Sequence, residues 1–189
     1  MRFTSDGMPV LAIIGPSGAG KSTAIQHLHS DGLVYVNPTW TTRPPRPGEV
    51  EQGIEHHFVT EDEFETKDQA GYFLETVQMF GLPYRYGLPP INSNSKKVPV
   101  VMVRASLMPL FNKYYPNNIV YQIEDDVSRI KERLDERQQQ GEALGTRLDD
   151  YNKEVNAGRK LAKRVFVNEE LESLIEQIRA AICEDYALK

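Results

Sequence analysis

The apolar run Val10-Leu11-Ala12-Ile13-Ile14 stops at Gly15, and the chain continues Pro16-Ser17-Gly18-Ala19-Gly20-Lys21-Ser22-Thr23. G-x-x-x-x-G-K-S is the P-loop pattern, here in the context it requires, with a strand-length apolar run before it and a helical pattern after it. Glycine-rich backbone can wrap closely around a phosphate with several N–H groups turned inward. The N-terminus of the following helix adds roughly half a positive charge. The expected ATP-binding residues are therefore Gly15, Ser17, Gly18, Ala19, Gly20, Lys21, Ser22 and Thr23. Lys21 would reach the outer phosphates, and the Ser22 hydroxyl would ligate magnesium. The plain alternative is a glycine-rich turn that binds nothing. At average glycine usage the bare pattern arises by chance in roughly one chain in a hundred of this length, and the flanking elements make accident rarer.

A second stretch suited to phosphate is Thr41-Thr42-Arg43-Pro44-Pro45-Arg46-Pro47-Gly48-Glu49. Two arginines stiffened by prolines can converge their planar forks on one phosphate. On spacing alone, a solvated proline-rich loop with incidental charge fits equally well.

These residues need a scaffold. Val10–Ile14 and Val98–Val103 are continuous apolar runs, expected for strands buried on both faces of a parallel sheet, joined by shorter strands at Leu33–Val36, Ile119–Ile123 and Val165–Val167. Pro99 suggests that regular pairing of the second run starts only after it. Helices are expected from Lys21 to His29 with Ile25 and Leu28 inward, from Ser106 to Tyr115, and from an Asp126 cap to about Gln140. Others are expected over Arg147–Ala162 with an interruption near Gly158, and over Leu171–Tyr186 with Asn168 as cap. Asn37–Gly53 reads as one long irregular loop and Gln138–Gly145 as a hinge. Thr60-Glu61-Asp62-Glu63 is a capping box that opens a further helix, and Phe73–Val77 and Tyr84–Tyr86 are short strands. The alternation of strands and helices predicts an α/β fold with helices on both faces of a parallel sheet and the ligand site at its carboxyl edge.

With 189 residues the chain is long enough for one domain, and its net charge of −5 argues against a surface that coats nucleic acid. Any anionic ligand must then be held by local basic clusters. The single cysteine, Cys183, excludes an intrachain disulfide and suits a reducing compartment, and its helical position fits a buried small apolar residue. No early apolar run has the length of a membrane span or signal core, so a cytoplasmic location is expected, without a membrane partner. His27 and His29 point in different directions on one helix and make a poor metal pair; both are expected at the surface. Nothing in the sequence indicates an oligomeric state.

The order T-T-R-P-P-R-P-G-E, then His56-His57-Phe58-Val59, Gly71-Tyr72-Phe73-Leu74-Glu75 and Tyr86-Gly87, downstream of this P-loop, resembles the guanylate kinase family. The resemblance runs from about Val10 to the last helix and is most specific in the P-loop and the arginine segment. It implies a nucleoside monophosphate kinase that moves the γ-phosphoryl of Mg·ATP to GMP. It also implies a core (1–36, 98–136 and 159–189), a monophosphate-binding lobe (37–97) and a lid (137–158). Carried over by position, Arg43, Arg46 and Tyr86 would hold the acceptor phosphate. Thr39 and Glu75 would contact the guanine, where a carboxylate can accept from the adjacent N1–H and N2–H2 donors. Arg133, Arg137 and Arg147 match lid-helix arginines that close over the transferring group, with Lys21, Arg137 and Arg147 as the catalytic set. A solvated helix face is the plain reading of the same three arginines. Asn168 matches a position near the adenine of ATP.

Some positions depart from that pattern. His56 stands where the family has a phosphate-binding tyrosine, with one extra residue between Glu49 and Gly53, and would join Arg43 and Arg46 in neutralising the acceptor phosphate. Leu88 replaces a base-contacting serine or threonine, and Met102 and Arg104 stand near the family's aspartates at the end of the Val98–Val103 strand. Two missing base-reading hydrogen bonds at about 1 kcal/mol each would weaken guanine binding roughly 30-fold unless something compensates. One rival reading is therefore a P-loop kinase of the same fold with another phosphorylated acceptor, such as ribose 1,5-bisphosphate. Others are a non-catalytic guanylate-kinase-like binding module, against which Lys21 and Ser22 speak, and a P-loop switch that only hydrolyses nucleotide.

Overall fold

Strand β1 (Leu11–Ile14) is buried along its whole length because alternate residues feed two separate cores. Leu11 and Ile13 join Ile25, Leu28, Leu174 and Ile178 on one face, while Ala12 and Ile14 join Val101, Met108 and Phe111 on the other. Side chains alternate with period two along a strand, so a strand covered on both faces must be apolar at every position. The computed structural model describes residues 8–46, 49, 54–79, 81–91, 96–138 and 144–188, with the backbone alone over 134–138 and 144–150.

The larger sheet has the order β2 (Val34–Val36), β7 (Val98–Met102), β1, β8 (Ile119–Glu124), β9 (Arg164–Val167), and every pairing in it is parallel. Helices α1 (Lys21–Ser30) and α6 (Leu171–Asp185) line one core, and α3 (Met108–Tyr114) the other. The expected α/β core with helices on both faces is thus present. Ile13→Ala removes a fully buried side chain at the centre of this arrangement. We expect it to lower unfolding free energy by about 2–5 kcal/mol, read as a shift of the urea midpoint at unchanged slope.

Several local expectations are corrected. Pairing of β7 starts at Val98, so Pro99 lies inside the strand. Val98 N–H and Val100 C=O bond towards β2, which turns Pro99 towards β1, where the ladder opens only at Leu11↔Val100. The donor that proline lacks is therefore not needed there. Helix α5 (Leu144–Leu161) runs through Gly158 without a break. A Cβ at Gly158 would lie 1.6 Å from Gln122 Oε1, so this glycine permits close approach of helix and sheet. Ser106 does not cap a helix: it sits in a 3-10 turn (Ala105–Leu107) whose flank is Arg104, and Leu107 precedes α3. Asp126 does act at the start of α4 (Val127–Gln138), accepting from Ser128 N–H at 2.8 Å. Of the expected hinge, Gln138 ends α4 and Leu144 opens α5, while 139–143 lie outside the described residues.

The stretch expected to be one irregular loop contains β3 (Thr39–Thr41), an inner strand of a second, four-stranded sheet. Its order is β4 (His56–Phe58), β3, β6 (Arg85–Leu88), β5 (Glu75–Gln78), with β3 and β4 parallel and the other pairs antiparallel. Thr-Trp-Thr has strand propensity, but the prolines around it hide so short a run. Of that stretch, 47, 48 and 50–53 lie outside the described residues. Helix α2 (Glu61–Gln69) opens with the expected capping box: Thr60 N–H donates to Glu63 Oε2 at 2.9 Å and Glu63 N–H to Thr60 Oγ1 at 3.2 Å. Phe64 of α2 is buried and stacks on Phe73 at 4.7 Å. Phe73 in turn lies where a Cβ on Gly87 would stand, 2.7 Å from its ring. Among the described residues no helix is long and apolar enough to cross a membrane. Cys183 is half-buried, as is His29, and His27 is exposed.

Candidate active site

The P-loop turns between β1 and α1. Gly15 has φ +135°, and a Cβ there would lie 2.0 Å from the carbonyl oxygen of Ile123, so only glycine fits this close crossing of β8. Lys21 folds over the loop and donates to the carbonyls of Gly15 at 2.8 Å and Pro16 at 2.7 Å. Helix α1 starts from Gly20, which offers no side-chain cap, and has no acidic residue in its first turn. Its leading amides and dipole are thus arranged for an anion.

Two side chains from distant segments bond to this loop, and two more hold them in place. Asn168, which follows β9, is buried and donates Nδ2–H to Ala19 O at 3.1 Å. The expected cap of α6 is therefore corrected: the residue before that helix is Glu170, without a side-chain cap bond, and the Asn168 amide is turned to the P-loop. Arg133 donates to Gly18 O at 2.8 Å and to Asp125 Oδ2 at 2.6 Å. Arg129 donates to Asp125 Oδ1 at 2.6 Å and to Asn168 O at 3.1 Å. Asp125, with its side chain fully buried, orients both arginines. Sequence reasoning missed Asp125 and Arg129. The available signal was a double acid closing an apolar strand, followed by arginines four and eight residues on.

One cavity of about 240 Å³ runs from Gly15, Ser17, Gly18, Lys21 and Ser22 to the second sheet. There it is lined by Thr39, Arg43, Arg46, His56, Glu75 and Tyr86, so the expected acceptor residues share it with part of the expected donor set, while Ala19, Gly20, Thr23, Arg133 and Asn168 are not among its lining residues. Thr23 is exposed at the start of α1. Positions 137 and 147 lie on α4 and α5.

Arg43 is buried and forms a bidentate pair with Glu49 at 2.9 and 3.1 Å, while its guanidinium lies 5.3 Å from the Phe58 ring centre. Glu49 also accepts from Arg46 Nη1 at 3.1 Å and from its backbone N–H at 2.7 Å. Burial pushes the Glu49 carboxyl up, but the bonds from Arg43 and the Arg46 backbone outweigh it and hold its pKa at about 2. Thr39 Oγ1 and His56 Nδ1 lie 2.8 Å apart. Burial lowers the His56 pKa from 6.5 to about 4, helped by the charges of Arg43 and Arg46 and opposed by Glu49. His56 is therefore neutral at pH 7.

The sign of the pH dependence follows. Between pH 6.5 and about 4 the unfolded chain takes up a proton at His56 that the folded chain refuses, so stability falls as pH drops through that window. Glu49 contributes stability above its unfolded value of 4.5 that is lost as pH falls towards 2. We expect Tm to decline from pH 7 to pH 4. In His56→Gln the share lost between pH 6.5 and 4 should shrink, and an unchanged Tm profile in that variant would refute the assignment.

A sequence model described as Guanylate kinase matches residues 7–185. The chain belongs to the guanylate kinase family. It is 30% identical over 191 residues to a guanylate kinase of Clostridium perfringens, covering 96% of this chain and 86% of that one. A guanylate kinase of Idiomarina loihiensis is 48% identical over 75 residues, 38% of this chain and 35% of that relative. Among solved structures, guanylate kinase from Anaplasma phagocytophilum aligns with a TM-score of 0.68 over 97% of this chain and 89% of its own, at 20% identity. That likeness concerns the fold.

In this member of the guanylate kinase family the cavity is also lined by Glu75, Leu88, Met102 and Arg104. Tyr114 Oη donates to Leu74 O at 2.7 Å and lies 3.2 Å from Glu75 Oε2. Glu154 of α5, itself buried, accepts from Arg104 Nη2 at 3.0 Å and from Ala105 N–H at 3.1 Å. Glu154 and Tyr114 escaped sequence reading because each lies far along the chain from its partner and carries no local motif.

Proposed function

We propose that this chain transfers the γ-phosphoryl group of Mg·ATP to the phosphate of a nucleoside monophosphate, with GMP as the acceptor. The observation that carries this is the single cavity joining the P-loop, with Lys21 and Ser22, to Arg43 and Arg46. A phosphate oxygen of GMP attacks the γ-phosphorus, the bond to the β-phosphate oxygen breaks, and ADP leaves. Such a transfer is limited by positioning and charge neutralisation, with little covalent work for the protein.

The P-loop amides and Lys21 hold the donor phosphates. Arg133 and Asn168 keep the loop in shape, and Asn168 lies towards the adenine. Arg43 and Arg46, set side by side by Glu49, bind the acceptor phosphate, and Tyr86 adds a hydroxyl. His56 contributes a hydrogen bond, being neutral at pH 7. Glu75 accepts from guanine N1–H and N2–H2, and Thr39 stands beside the base. Arg137 and Arg147 bring positive charge to the transferring group. Among the described residues no group of three His, Cys, Asp or Glu is placed to hold a metal. Ser22 in the cavity wall fits as a hard oxygen ligand for magnesium carried by the nucleotide phosphates, where the ion neutralises charge. The first sheet with its helices forms the core, 37–97 the acceptor lobe and 137–158 the lid, whose closure keeps water from the reacting phosphoryl.

The test is ADP formation from Mg·ATP with GMP, dGMP, AMP or ribose 1,5-bisphosphate as acceptor. GMP and dGMP are expected to be used well above the others. Preference for the ribose bisphosphate would select the related kinase reading. ADP release without any acceptor would select the hydrolytic switch, and ATP binding without turnover the non-catalytic module.

A further inference from the structure

Glu75 and Arg104, charges of opposite sign, line the same cavity as the P-loop residues, together with Glu154. Glu75 sits in the β5–β6 ladder opposite Leu88, and Arg104 follows β7 at the start of the 3-10 turn. Leu88, Met102 and Phe111 line the same space. Both charged groups are held in place. Tyr114 reaches Glu75, and the buried carboxylate of Glu154 takes both an Arg104 nitrogen and the next backbone amide. A guanidinium tied by a charge-assisted bond spends little further entropy when it meets a ligand.

A carboxylate can serve only the donor edge of a purine, and a guanidinium only an acceptor edge. Guanine has both: N1–H and N2–H2 on one side, O6 and N7 on the next. We propose that Arg104 reads guanine O6 and N7 with its planar fork while Glu75 reads N1–H and N2–H2, so that Arg104 is a specificity-determining residue for the acceptor base. The fork geometry of arginine matches those two atoms. Adenine in the same pose turns its N6 amino donors towards the guanidinium and an N1 lone pair towards the carboxylate, a mismatch at both groups. The inference rests on GMP being the acceptor.

The experiment measures kcat/KM for GMP, 7-deaza-GMP, IMP and AMP at saturating Mg·ATP, in the wild type, Arg104→Lys and Arg104→Met. The wild type should favour GMP over AMP and lose several-fold with 7-deaza-GMP, which lacks N7. In Arg104→Met the GMP/AMP and IMP/AMP ratios should fall roughly 5- to 150-fold and the penalty for 7-deaza-GMP should vanish, while Arg104→Lys, whose ammonium can still donate but has lost the planar fork, should fall in between. An unchanged GMP/AMP ratio in variants that bind ATP normally overturns the inference, as does an equal loss with every acceptor, which would place Arg104 on the phosphate. Arg104→Lys keeps a cation for Glu154 should the methionine variant fail to fold. The 7-deaza comparison needs no variant at all, and equal use of GMP and 7-deaza-GMP by the wild type is also a refutation. If the wild type does not favour GMP over AMP, the proposed function falls and the base reading with it. A wild-type preference untouched by either substitution removes the base reading alone.

Discussion

Arg147→Ala is expected to reduce kcat by about 10³–10⁵ while the protein stays folded and binds ATP, because an arginine that meets the transferring phosphoryl group acts mainly in the transition state. Position 147 lies two turns before Glu154 on the same face of α5, and Glu154 lines the cavity. The later part of α5 is tied to the sheet. Arg159 donates to buried Glu124 at 2.7 and 2.5 Å, and Gln122 Nε2 donates to Val155 O at 3.1 Å. Those bonds stand independently of residue 147, so the variant should keep its thermal stability. Single-turnover kinetics at saturating GMP and Mg·ATP separate chemistry from product release. A chemical step within tenfold of the wild type would remove Arg147 from the mechanism.

Arg43→Ala should lower kcat/KM for GMP by about 10²–10⁴, with the Kd for ATP unchanged. Two bonds from a guanidinium to a phosphate are worth about 1.5–3 kcal/mol each, and both disappear together. The loss is large because Arg43 does not act as a loose surface charge. It is 4% exposed, and Glu49 fixes it beside Arg46 before any acceptor arrives. The same burial adds a cost in stability, since Glu49 is left with Arg46 alone. Because the P-loop belongs to the other sheet, donor binding provides the internal control. Isothermal titration with ATP and initial rates over a GMP series measure the two quantities, and a kcat/KM for GMP within threefold of the wild type would contradict the assignment.

Local signals were sufficient wherever the physics is local. Val10–Ile14 read as a doubly covered strand because both of its faces demand apolar residues. Thr60 and Glu63 read as a capping box because both bonds close within four residues. The misreadings share one cause. Gly158 looked like a helix break, yet its lack of a side chain serves Gln122, a residue of another element. Asn168 looked like a cap, yet its amide goes to Ala19 at the other end of the chain. Thr39–Thr41 looked like loop because a three-residue strand is held by its neighbours on either side.

By itself the sequence determined the P-loop, the paired arginines and the alternation of strands and helices, since each depends on residue types a few positions apart. The tertiary structure alone decided that Lys21 and Arg43 line one cavity, that Asp125 braces the loop through Arg129 and Arg133, and that His56 is neutral. Cavities, ion pairs and proton affinities depend on which charges and apolar surfaces meet across the fold, and the spacing of residues along a chain does not contain that information.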